Sequence, residues 1–231
     1  LALTQEDVSA AARALASCWR LAGVRKGDGV LIYDYGTSPL TLFASWAYIP
    51  GLPRGAADLL GATPICNDGM PEYAARALHV LRYFRPRFVF VDAELMPVLV
   101  MRASEEGEAL SRWTDLLVVA SEDEGITDSQ KGDWSEALGI PIRSLLRVGP
   151  ALFFAGECRQ GALHVDRRFY RSEVLRDGQN VPSPVGEGRL CITNLFLKGT
   201  TVIRYLTGVR VTLSGRECGC GRPGAPVRLA E

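Results

Sequence analysis

The chain has 231 residues, enough for one sizeable domain or two small ones with a true core, and too long for a disulfide miniprotein. An apolar share of 47% excludes a disordered chain, and 26 basic against 26 acidic side chains leave no basic excess of the kind nucleic-acid binders show. No run of about 18 apolar residues occurs, so no membrane-spanning helix is expected, and no basic-then-apolar segment opens the chain as a signal peptide would. The first residue is Leu1, which marks a processed, trimmed or incompletely represented chain.

Elements alternate along the first part of the sequence. Thr4, with Asp7 three residues on, reads as a helix N-cap with an acid in the first turn. Val8, Ala11, Ala12, Leu15, Trp19 and Ala22 continue at helical spacing until Gly23 and Gly27. The apolar run Val30 to Tyr33 predicts a buried parallel strand. Helices are expected over 39–48, 71–84, 94–102 and 130–138, and strands over 62–66, 88–91, 116–119 and 140–146. This rhythm predicts an α/β fold over residues 1–149, a layered and mostly parallel sheet with helices.

After Gly149-Pro150 the pattern changes. Short apolar runs at 151–155, 162–165, 168–175, 188–196, 201–206 and 209–213 are separated by Gly, Pro, Asp or Asn, which predicts antiparallel strands. Residues 178–188 read as a turn-rich connection. A β-rich subdomain with a zinc knuckle is therefore expected over 150–231.

The knuckle rests on the cysteines. Six in 231 residues is an ordinary count that implies no disulfide scaffold. Cys218-Gly219-Cys220-Gly221-Arg222 is a tight C-x-C whose thiols pair poorly with each other but can face one ion, the glycines permitting the turn. Cys158 and His164 lie six positions apart around Gly161. Cys158, His164, Cys218 and Cys220 form a Cys3His set with no open position, which suits structural, tetrahedral zinc. The spacing is not that of a standard zinc finger. Free core cysteines, a disulfide in an exported chain, and an ordinary half-buried histidine at 164 are the other readings. Cys18, Cys66 and Cys191 read as small core hydrophobes, and His79 as a helix-surface residue. The acidic stretch 121–125 reads as a solvated loop, with Trp113 and Trp134 as packing residues.

Several short segments then fall in a recognisable order: Leu3 to Asp7, Gly23 to Asp28, Tyr33 to Gly36, Cys66 to Gly69, Leu81 to Pro86, Leu138 to Pro141, Glu157-Cys158, Gly161 to His164, Gly188 to Leu190, Ile203 to Gly208 and Cys218 to Arg222. In that order they resemble the adenylate-forming superfamily, in its phenylacetate–CoA ligase-like branch, over nearly the whole chain. The resemblance implies activation of an acyl or aryl acid by ATP and transfer of the acyl-adenylate to the thiol of coenzyme A. It also implies, for some members, a structural zinc on the cysteines and histidine named above.

The chain departs from that pattern at four places. The branch's phosphate loop would lie just upstream of Leu3-Thr4, before the first residue given. Its Tyr-Gly-x-Thr-Glu stretch, which stacks on adenine and helps bind magnesium, is replaced by Leu145-Leu146-Arg147-Val148-Gly149-Pro150. Its Arg-Tyr-x-Thr-Gly-Asp, whose Asp grips the ribose hydroxyls, ends here in Val209. Its mobile C-terminal domain with a catalytic Lys would follow Glu231.

These features predict a degenerate or truncated relative that does not adenylate by itself and that binds or processes an acyl or aryl acid or its thioester. Its pocket is expected near Tyr33, Asp34, Tyr35 and Asp68, at strand carboxyl ends. A nucleotide-site remnant is expected at Arg204, Tyr205, Thr207 and Gly208. The alternative is part of an active ligase, with ATP, Mg and CoA, whose phosphate loop and lid are missing from this chain. A third class makes Asp34, Asp68 or Glu157 a general base; zinc-bound water is disfavoured by a closed Cys3His shell. A homo-oligomer or a partner protein is expected, with no nucleic-acid or membrane partner, in the cytoplasm.

Overall fold

The computed structural model describes residues 1–34, 43–45, 54–107, 109–221 and 226–229. Tyr35, Arg222 and most of the helix expected over 39–48 lie outside these residues.

The first helix, α1 (Gln5–Ala22), starts where the sequence dictates. Thr4 Oγ1 accepts from the Asp7 amide at 3.2 Å while Asp7 Oδ2 accepts from the Thr4 amide at 2.8 Å, a reciprocal capping box. Gly23 ends the helix at φ +107°, its amide reaching the Trp19 and Arg20 carbonyls.

Among the described residues eleven strands follow in one sheet. In chain order they are β1 (Gly29–Asp34), β2 (Thr63–Asp68), β3 (Phe88–Asp92), β4 (Leu116–Glu122), β5 (Ile142–Val148), β6 (Phe153–Glu157), β7 (Leu163–Val165), β8 (Tyr170–Leu175), β9 (Gly186–Asn194), β10 (Tyr205–Leu213) and β11 (Pro226–Leu229). Their spatial order is β2-β1-β3-β4-β5-β6-β7-β11-β10-β9-β8. The pairs from β2 through β5 are parallel, and every pair from β5–β6 onward is antiparallel. Further α-helices among the described residues are α2 (Ala56–Leu60), α3 (Ala74–Phe84), α4 (Met96–Glu105) and α5 (Asp128–Leu138). The expected layered, mostly parallel α/β sheet followed by antiparallel strands is what the chain forms.

Alternation along the parallel strands assigns side chains to two faces. Ile32, Phe90, Val118 and Leu145 join Trp19 of α1 and Ala57 of α2. Leu31, Val89 and Leu117 join Leu78 of α3, Leu99 of α4 and Leu138 of α5. The first cluster continues without a break into Phe153, Tyr170, Leu190 and Val211 of the antiparallel strands. Gly156 makes this possible on β6, since a Cβ there would stand 2.9 Å from Cys18 Cβ on α1.

Some expectations fail locally. The runs 201–206 and 209–213 are not two strands. Residues 201–204 are non-strand, and β10 is one strand whose register shifts between Leu206 and Arg210. The Thr207 hydroxyl accepts from the Val209 amide at 3.1 Å and so takes up a backbone donor there. The start of β9 lies inside the expected connection 178–188, and α2 and β11 are too short to carry a readable period.

Candidate metal centre and strand-end site

The structure brings Cys158, His164, Cys218 and Cys220 together, with one donor atom from each and all four within 4.8 Å of one another. Cys158 follows β6 in a tight turn, its amide donating to the Ala162 carbonyl at 2.9 Å and the Gly161 amide returning to Cys158 O at 3.1 Å. His164 sits on β7, opposite Gly156 of β6 and Pro226 of β11. The C-x-C turn follows β10. Cys158 Sγ lies 3.9 Å from Cys218 Sγ, and Cys220 Sγ lies 3.4 Å from His164 Nε2. Tetrahedral zinc with bonds of about 2.3 Å to sulfur requires S···S edges of about 3.8 Å, and slightly shorter S···N edges. The 3.9 and 3.4 Å edges match a tetrahedral ion, and the four donors all lie within 4.8 Å of one another.

The surroundings suit thiolates. Cys158 and His164 are buried, and Cys218 and Cys220 are half-buried. The Gln160 amide donates to Cys158 Sγ at 3.4 Å. Arg20, Arg159 and Gln160 line a cavity of about 390 Å³ beside Cys158 and Cys220. A divalent ion with three thiolates and a neutral imidazole carries net charge −1, which these guanidiniums complement. Burial, reinforced by Arg159, also lowers the pKa of the nearby Arg143 guanidinium, whose Nη1 donates to the Ala22 carbonyl. The other three cysteines lie elsewhere. Cys18 and Cys191 are buried, Cys66 is half-buried, and all six are free thiols. Burial pushes the Cys18 thiol up to about 12 and raises Cys66 and Cys191 as well, so none of them is activated.

The second cluster lies at the carboxyl ends of the parallel strands, where α/β sheets take ligands. Asp34 ends β1 and is paired in register with Asp68 of β2; Asp34 is buried and Asp68 exposed. Tyr33 points to the other face. It is fully buried, and its hydroxyl donates to the Met70 carbonyl at 3.4 Å. Tyr33 and Asp34 are thus adjacent in sequence but on opposite faces, and only Asp34 shares a face with the strand-end carboxylates.

Asp92 ends β3 and Glu122 ends β4 on the Asp34 face, and Arg147 near the end of β5 joins them. Arg147 Nη2 lies 2.6 Å from Asp92 Oδ2, and its Nε lies 3.1 Å from Glu122 Oε2. Asp92 is buried and also caps the Glu94 amide at 2.9 Å. Glu122 Oε1 accepts from the Gly149 amide at 2.9 Å, and a Cβ on Gly149 would stand 2.4 Å from that oxygen. Sequence reading noted Leu145 to Pro150 only for what it lacks. A signal was present: Arg147 is a cation directly after the apolar pair Leu145-Leu146, near the end of its strand and at the same end of the sheet as the acids ending β3 and β4.

The remaining candidates are placed as follows. Arg204 is exposed and at φ +50°; its Nε lies 3.3 Å from Oε2 of buried Glu173, whose Oε1 takes Arg171. Tyr205 is partly exposed, Gly208 is exposed, and Thr207 is buried with its hydroxyl donating to Leu190 O at 2.9 Å. Val209, at 2% exposure, is a core residue of β10. Glu157 is buried, with Oε1 on Lys131 Nζ at 3.0 Å and Oε2 on the Ser144 amide at 2.7 Å, so both oxygens are committed to holding β6 against α5 and β5. Trp113 and Trp134 pack against the second core cluster, and His79 is exposed on α3.

No protein-family profile and no curated protein matches the sequence. Solved structures do match in fold. A 2-hydroxyisobutyryl-CoA ligase, solved with 2-HIB-AMP and CoA, superposes with a TM-score of 0.76 at 20% identity, over 96% of this chain and 51% of that one. The anthranilate CoA ligase AuaEII, in complex with anthranoyl-AMP, gives 0.58 at 15% identity, over 91% and 41%. The O-succinylbenzoate coenzyme A synthetase from Bacillus subtilis, in complex with AMP, gives 0.60 at 12% identity, over 98% and 45%. Among the described residues no helix is long and apolar enough to cross a membrane. The chain thus has the fold of the acyl- and aryl-CoA ligases of the adenylate-forming superfamily, and spans about half the length of the solved structures it matches.

Proposed function

We propose that the chain is a remodelled relative of the phenylacetate–CoA ligase-like enzymes, one that binds or processes an acyl or aryl acid, or its activated form, without adenylating it by itself. The observation that carries this reading is the Arg147–Asp92–Glu122 network at the strand carboxyl ends. The guanidinium that could meet a phosphate is spent on two carboxylates, Asp92 and Glu122. A nucleotide tail placed there finds Arg147 already neutralised and gains no attraction from it. Val209 offers the ribose hydroxyls no acceptor, and losing one charge-assisted hydrogen bond weakens binding by about 1.5–3 kcal/mol. The test is acid-dependent exchange of pyrophosphate into ATP over a panel of acyl and aryl acids, with uptake of the acids and their CoA thioesters measured in parallel. No exchange together with uptake of an acid or thioester supports the reading, and exchange overturns it.

Zinc is the ion we assign to Cys158, His164, Cys218 and Cys220, on the strength of the donor set and its 3.9 and 3.4 Å edges. Bound there, zinc supplies a cross-link and no open coordination position. The four residues would tie the β6–β7 turn to the segment after β10. The fold neighbours held with an acyl-adenylate and CoA favour a second reading, part of an ATP-, Mg- and CoA-dependent acyl- or aryl-CoA ligase.

A further inference from the structure

The antiparallel half of the sheet contains a cavity of about 430 Å³, separate from the metal centre and from the strand ends. That volume lies within the roughly 300–1,000 Å³ of small-molecule pockets. Leu213 of β10 and Val227 of β11, a directly paired couple, and the ring of Tyr170 on β8 form an apolar part of its wall, while Arg167, Arg171 and Ser172 make the rest polar, Arg171 being paired with Glu173 at 3.1 Å. The Tyr170 hydroxyl is already committed to the Leu152 carbonyl at 2.7 Å, so the ring presents only carbon to the cavity.

Two polar groups in the lining are not used by the fold. Ser172 Oγ is buried without a hydrogen-bond partner, a condition that disfavours the folded chain unless something else meets the hydroxyl. Arg167, in the β7–β8 turn, is exposed and makes no side-chain hydrogen bond or ion pair with the described residues. Its neighbour Arg168 behaves differently, engaging Asp166 through Nε at 3.0 Å and Nη2 at 2.6 Å. The local acid is therefore neutralised by Arg168, which leaves Arg167 as an uncompensated cation lining a cavity that also has an apolar wall.

We propose that this cavity binds a small amphipathic carboxylate, an aryl or medium alkyl body resting on Leu213, Val227 and Tyr170 with its carboxylate at Arg167. An apolar body contributes by leaving water, and a guanidinium–carboxylate contact fixes the orientation and selects the anion.

The test is calorimetric titration of the full chain with 2-naphthoate and, separately, with the uncharged 2-naphthamide. The site predicts that naphthoate binds at least about tenfold tighter than the amide. Arg167→Ala, in an exposed turn, should bring the two ligands to within about twofold. Leu195→Glu, at another exposed lining position, should weaken naphthoate and spare the amide. No naphthoate binding, equal binding of the two ligands by the unmodified chain, or unchanged discrimination in Arg167→Ala would overturn the proposal. ATP takes no part in the titration, so this site stands or falls separately from the reading of the strand ends.

Discussion

Arg147 reaches from β5 across the whole width of β4 to set its Nη2 2.6 Å from Asp92 Oδ2 on β3. In passing it also meets Glu122 at the end of β4. The three strand ends are thereby locked to one another by charge, at the edge of the sheet where open α/β folds usually receive a ligand.

That lock is structural, and removing its cation should show it. Arg147→Met leaves Asp92 buried without its partner and should destabilise the chain by about 3 kcal/mol in urea unfolding. Adding Asp92→Asn should recover part of the loss, because the stranded charge is then gone. Equal instability of the single and double variants would show that the pair does not interact in the way its distance suggests.

Asp7 makes a pH prediction. Burial alone would raise its carboxyl pKa, but the Thr4, Gly199 and Lys198 amides together outweigh burial and hold it below the ordinary 3.8. A depressed folded-state value means the contribution is present above about pH 4 and is lost as pH falls through that lower value. Asp7→Ala should cost about 2–3 kcal/mol at pH 7, since three amides lose an anionic acceptor. The stability difference between the native chain and Asp7→Asn should shrink as unfolding is followed from pH 7 to pH 3. A difference constant with pH would contradict this.

Metal removal should loosen one end of the molecule. The account predicts one zinc per chain by elemental analysis and a lower Tm after chelation, restored by added zinc. Cys218→Ser should lose zinc, because serine does not replace the thiolate in a soft site. Cys66→Ser should keep its zinc, Cys66 having no place in the cluster. A chain that purifies without metal and ignores chelators would remove the assignment.

Much of the fold was legible because its signals are local. Thr4, Asp7 and Gly23 carry cap chemistry in their own side chains or backbone freedom, and α1 begins and ends at them. The apolar runs of β1, β3 and β4 are buried on both faces and needed no partner to be recognised. The Cys3His set was legible for a related reason, as ligand chemistry narrows the candidates before any geometry is known. What stayed hidden depends on register. Whether Arg147 reaches Asp92 follows from the alignment of three strands, which no single segment encodes. The two-strand reading of 201–213 failed because Thr207 absorbs an irregularity with its own hydroxyl, inside a continuous β10. Tyr33 and Asp34 were expected to share one pocket, but strand pleating turns them to opposite faces.

Tyr170 gives a smaller and cleaner test of the joint between the parallel and antiparallel strands. Its hydroxyl holds the carbonyl of Leu152, a non-glycine residue at φ +43° where the sheet changes direction. Tyr170→Phe should cost about 1–2 kcal/mol in chemical denaturation while leaving the ring contact with Phe153 in place. No loss of stability would mean that the hydrogen bond does not hold that turn.

The central claim is that the strand ends no longer accept a nucleotide, and calorimetric titration of ATP·Mg into protein of verified mass and zinc content tests it most directly. The account predicts no saturable heat up to millimolar ATP. Saturable binding, weakened when a residue at the strand carboxyl ends is changed, would contradict it and restore the reading of this chain as part of a working ligase.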